Sequence, residues 1–184
     1  MGYNFQYYTD LTNRDIKNTN ILPILEDSLP KFENPETVSF LIELVRIKEF
    51  YEATGFVLEI FKKTRRFNIL TRRRCAAPYD NALYDIGDKR YIREYLEILD
   101  DEIDANNLSI TMRMLAKWQV PEAKPVFIKY LHAMGELRFT AIEALSYYLD
   151  TALIDEITSF LKSVDKNIVK CAKKAISRLE KYQH

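Results

Sequence analysis

Between Gly135 and Leu149 the small and apolar residues Leu137, Ala141, Ala144 and Leu145 fall on one stripe of a helix, because steps of three and four residues nearly complete a helical turn. The stripe recurs. With Ala144 as the anchor, the same offsets lead thirty-one residues on to Ile168, Ala172, Ala175, Ile176 and Leu179. Twenty-nine residues back they lead to Leu108, Met112, Leu115 and Ala116, and thirty-three further back to Cys75, Tyr79, Ala82, Leu83 and Ile86. A looser copy lies at Val38, Leu41, Ile42 and Val45.

A second apolar-periodic segment precedes each of these stripes. Phe127, Tyr130 and Leu131 correspond to Ile157, Phe160 and Leu161 downstream and to Ile92, Tyr95 and Leu96 upstream. The unit is therefore an outer helix, a short turn and an inner helix. Such a hairpin cannot bury its own apolar face, so copies must stack. The spacing predicts outer helices at 20–29, 50–66, 89–99, 121–134 and 152–163. It predicts inner helices at 35–48, 69–86, 107–119, 136–149 and 165–182. Asn34 before Pro35 reads as an N-cap followed by proline at the first helical position. Pro78, inside the second inner segment, predicts a kink or restart at Ala77–Pro78. Between Leu96 and Leu108 the turn is longer than its equivalents and acidic.

Segments such as NILPILEDSL (20–29), ALYDIGDKRYIREYLEIL (82–99), KPVFIKYL (124–131) and DKNIVKCAKKAISRL (165–179) resemble HEAT-like repeats. The kind they are most similar to is the short one also found in phycocyanobilin-lyase-type proteins, and the resemblance covers residues 20 to 182. The repeat is shorter than an ordinary HEAT unit, and the usual acidic-then-arginine step survives mainly as Glu136 with Arg138. Tetratricopeptide and ankyrin signatures are absent. The expected fold is all-α: a right-handed α-solenoid of about five stacked hairpins spanning residues 19–184 as a single domain. Residues 1–18, with Tyr3, Phe5, Tyr7 and Tyr8, are expected to cap the first repeat.

Composition adds limits. Four glycines and six prolines are too few for an all-β chain of tight turns. Twenty-seven basic and 27 acidic residues leave no net charge, which removes a global drive toward nucleic acid or an anionic membrane. No apolar run approaches the roughly 20 residues of a membrane span, and the polar start does not read as a signal peptide. Cys75 and Cys171 sit on stripes of distant repeats, so a reduced, cytoplasmic setting is expected rather than a disulfide.

Local charge is less even. Phe61 to Arg74 carries seven basic residues and no acidic one, whereas Glu94 to Asp104 carries six acidic residues and no basic one. Arg72, Arg73 and Arg74 are the candidate contacts for phosphates or an acidic protein surface. The alternative is that the two runs pair within the molecule or stay solvated. On the inner helices, Tyr84, Lys117 and Phe139 point away from the anchor stripe. With Met114, Ile110 and Ile142 they form a candidate apolar strip for a partner, although packing of neighbouring inner helices would bury part of it. Trp118 reads as packing. His132 and His184 lack ligand-spaced partners, and no catalytic constellation, metal set or cofactor motif stands out.

These features point to a non-enzymatic protein-binding solenoid, an adaptor, inhibitor or immunity-type protein, with another protein as partner and no membrane. Nucleic-acid binding through residues 62–74 is the alternative. It includes the HEAT-like alkylpurine DNA glycosylases, whose tryptophan-and-aspartate pattern is matched here only by Trp118.

Overall fold

The computed structural model describes residues 21–181, so the expected N-terminal cap at 1–18 and His184 lie outside the described residues. Eleven α-helices and no strand occur among those residues. Ten of them are the helices the repeat predicts, and the eleventh folds inside the acidic insertion. The chain clusters into two compact units, Met1–Tyr91 and Ile92–His184.

The first unit contains α1 (Ile21–Ser28), α2 (Pro35–Ile42), α3 (Thr54–Lys63) and α4 (Ile69–Ile86). As expected, α2 starts at Asn34, whose side chain accepts from the backbone N–H groups of Glu36 and Thr37 at 2.9 and 3.0 Å. Those bonds satisfy two of the orphan donors of a helix start. The helix ends at Ile42 and tightens into a 3₁₀ turn over Glu43–Val45, short of the predicted Lys48. Both α2 and α3 pack on α4. Of the kink or restart expected at Ala77–Pro78, the restart does not occur: α4 runs unbroken through Pro78. Cys75, Ala76, Tyr79, Ala82 and Leu83 are buried on either side of the proline. Burying each large apolar side chain contributes about 1.5–3 kcal/mol, which together outweighs the roughly 3 kcal/mol that an interior proline costs. The Ser39 hydroxyl adds a 2.7 Å bond to the Cys75 carbonyl, next to the carbonyl that Pro78 leaves without its donor.

The second unit contains α5 (Ile92–Leu99), α6 (Glu102–Asn107), α7 (Ser109–Lys117), α8 (Ala123–Leu131), α9 (Gly135–Leu145), α10 (Leu153–Thr158) and α11 (Lys166–Glu180). The acidic insertion became α6 because Asp101 caps it, accepting from the Asp104 N–H at 2.9 Å, and because acidic residues suit a helix N-terminus. The inner helix α9 packs on both α7 and α11, while α8 packs on α9 and α10 on α11.

The anchor stripe forms the core of both units. Of the stripe residues, only Leu41 and Ile176 are half-buried and all the rest are buried. Two backbone features follow the same repeat. Each of the first four inner segments is followed by a residue in left-handed conformation: Glu49 (φ 60°), Gly87 (64°), Gln119 (54°) and Leu149 (57°). Side chains also bond from one hairpin to the equivalent place on the next. The Tyr130 hydroxyl donates to the Leu99 carbonyl at 2.6 Å and the Tyr148 hydroxyl to the Val120 carbonyl at 2.7 Å. Arg113 Nε donates to Glu143 at 2.8 Å. In the first unit Thr54 donates to Asp88 at 3.1 Å.

Candidate functional site

In the second unit α9 and α11 leave a groove of about 370 Å³ between them. Two contacts set their register. The Cys171 thiol donates to the Phe139 carbonyl at 3.6 Å, and Arg178 Nη1 donates to the Ser146 hydroxyl at 2.8 Å. Both pairs have the same sequence offset, so the two helices run parallel, as successive inner helices of a repeat must.

Phe139, Cys171 and Ala175 supply apolar surface in the groove. Glu136 and Glu143 stand on the α9 wall, and Asn167, Lys170, Lys174 and Arg178 on the α11 wall. Glu143 is paired with Arg113 at 2.8 Å. Burial, with a smaller contribution from Glu143, pushes the Cys171 thiol up to about 11. At neutral pH it is therefore a protonated packing group and not a nucleophile. The groove offers shape, an apolar centre and charge of both signs, with no group poised for covalent or acid–base chemistry.

Of the seven residues singled out in the sequence, Phe139 lines this groove. Met114 is only 3% exposed and belongs to the core. Ile142 is buried with it, so the continuous apolar strip is replaced by Phe139 and the half-buried Ile110. The reason is the side-by-side packing of α7 and α9. Lys117 is exposed at the end of α7 and Tyr84 is exposed on α4.

The arginine run divides. Arg72 is only 9% exposed, Arg73 is exposed, and Arg74 pairs with Glu36 at 3.2 Å. A helix running unbroken past Pro78 turns consecutive residues by about 100° each, so the three arginines cannot share one surface. The Ile69–Leu70 pair, with Leu70 71% exposed, interrupts the basic cluster at its surface. In the second unit Asp100 pairs with Lys129 at 2.9 Å and Asp104 is buried.

Arg178 and Tyr147 were not singled out from the sequence. Lys170 and Lys174 stand on the same wall of the groove as Arg178. Their four-residue spacing with Arg178 was the available signal, since it puts all three on one side of α11. His132, exposed, has Glu156 at 3.6 Å. Among the described residues no group of three or more His, Cys, Asp or Glu is placed to hold a metal ion. No helix among them is long and apolar enough to cross a membrane. No family model, curated protein or solved structure matches the chain.

Proposed function

We propose that this chain is a non-enzymatic protein-binding module, built from HEAT-like hairpins that stack in the manner of an α-solenoid, and that the groove between α9 and α11 receives a segment of a partner protein. The observation carrying this reading is the lining itself. An apolar patch of Phe139, Cys171 and Ala175 is flanked by carboxylates on one wall and cations on the other, the apolar-centre, polar-rim pattern of protein interfaces. A nucleic-acid groove would be expected to be uniformly basic. Glu136 and Glu143 argue against that here, as does the balanced charge of the chain.

The test is selection of peptides from a random display library on the folded chain, repeated on Phe139→Glu and on Ala175→Leu. Peptides that bind the wild type in the micromolar range, and that both variants lose while keeping their helical circular dichroism, support the reading. Peptides that bind the variants equally well contradict it, as does displacement of the selected peptides by a short single-stranded oligonucleotide.

A further inference from the structure

On α11 five residues are basic and one is acidic, and Lys170, Lys174 and Arg178 recur at every fourth position along the groove. Arg178 is held from two sides. The Ser146 hydroxyl donates to the Glu143 carbonyl at 2.7 Å, which leaves its oxygen lone pairs to accept from Arg178 Nη1 at 2.8 Å. The guanidinium carbon also lies 4.3 Å from the centre of the Tyr147 ring, within cation–π range. An arginine fixed in this way has little side-chain entropy left to lose when it meets an anion, and its planar fork suits a carboxylate.

No described carboxylate lies within ion-pair distance of Arg178, Lys174 or Lys170. On the facing wall Glu143 is already neutralised by Arg113, which leaves Glu136 as the remaining uncompensated acid. The parallel register places Glu136 near Asn167 and Lys170 at one end of the groove. Lys174 and Arg178 stand toward the other end, beside Ser146. The groove is thus electrically asymmetric, with surplus positive charge at the Arg178 end and apolar surface beside it.

We infer that the occupant of this groove is an acidic segment of a partner protein, its carboxylates taken by Arg178 and Lys174 and an apolar side chain seated against Phe139 and Ala175. This rests on the reading of the groove as a protein-binding site and adds the chemistry of the partner. Phosphate-bearing ligands fit less well, because the Glu136 carboxylate lines the same cleft and would repel a dianion more strongly than a carboxylate.

Fluorescence anisotropy with labelled, end-blocked nonapeptides tests it: one alternating Glu with Leu, one Gln with Leu and one Lys with Leu. A single-stranded DNA nonamer and inorganic phosphate serve as competitors. The Glu peptide should bind at least tenfold more tightly than the Gln peptide, and the Lys peptide should not bind. Arg178→Gln should weaken the Glu peptide about tenfold and leave the Gln peptide unchanged. Arg178→Lys, which keeps the charge but loses the fork, should weaken the Glu peptide less, and Lys173→Gln, exposed outside the groove, should have no effect. Equal affinity for the Glu and Gln peptides overturns the inference while leaving the groove reading intact. Tighter binding of the DNA nonamer or of phosphate than of the Glu peptide overturns it in favour of a phosphate site. Binding of none of the three peptides at millimolar concentration overturns it as well, and the display selection on Phe139→Glu then decides separately whether the groove reading falls too.

Discussion

Ala144 and Ala175 hold equivalent places on successive inner helices, yet the structure predicts opposite outcomes when each becomes leucine. Ala144 is 0% exposed within α9, which is packed by α7, α8 and α11. Ala175 is 3% exposed, but it borders the groove. Leucine adds three carbons at either site. Where a space accepts them they would contribute up to about 0.8 kcal/mol each, and where none exists the overpacking costs roughly 1–3 kcal/mol. Ala144→Leu therefore has nowhere to go and should lower the melting temperature. For a unit of this size each kcal/mol shifts the midpoint by about 4–8 °C, so a drop of at least 4 °C is expected. Ala175→Leu can turn its side chain into the groove, so its midpoint should stay within about 4 °C of wild type while peptide binding is lost. Thermal unfolding followed by circular dichroism gives the first quantity and the peptide assay the second. Equal destabilisation of the two variants would show that Ala175 is sealed like Ala144 and that the groove is not open to a partner. An unchanged midpoint for Ala144→Leu would mean that the anchor stripe has been assigned wrongly.

Three further outcomes follow from single contacts. Tyr130→Phe removes the donor to the Leu99 carbonyl, while the Asp100 carbonyl keeps Lys129 at 3.0 Å; a loss of about 1–3 kcal/mol in urea unfolding is expected, and no loss would mean the inter-hairpin bond does not hold the outer helices. Glu49→Gly relieves a left-handed residue (φ 60°) whose exposed side chain lies 3.6 Å from Lys48; relief of roughly 1–2 kcal/mol less the 0.5–1 kcal/mol entropy cost of glycine predicts a small net stabilisation, and a lower midpoint would contradict it. The bonds from Arg90, with that from Thr54, hold the Asp88 carboxyl below its ordinary value of 3.8. A depressed folded value stabilises the first unit above pH about 3.8 and loses that stabilisation as pH falls below it. Asp88→Asn should therefore flatten the acid limb of a melting-temperature profile between pH 2 and 5, and an unchanged limb would exclude Asp88 as its source.

Much of the helical layout was legible because repeated burial leaves a repeated pattern. Leu137, Ala141, Ala144 and Leu145 could be found from their copies alone, since each copy faces the same packing problem. The N-cap at Asn34 was readable from its own short sequence context. The candidate site was less legible. Phe139 was found because it stands off the anchor stripe, but Met114 met the same criterion and is buried, since a helical wheel does not say how closely α7 and α9 approach. Arg72–Arg74 stood out as a charge run, yet consecutive residues on an unbroken helix diverge around its axis. Arg178 was passed over because its meaning depends on Ser146 and Tyr147, some thirty residues away in sequence and brought close only by the stacking of α9 on α11.

The most direct test of the account is a titration of the isotopically labelled full chain with the Glu–Leu peptide, followed by backbone amide chemical shifts. Saturable shifts are expected along Glu136–Ser146 and Asn167–Arg178, greatest near Ser146 and Arg178, and in Arg178→Gln they should need about tenfold more peptide to saturate. Shifts concentrated on Lys62–Arg74, with α9 and α11 unmoved, would contradict it.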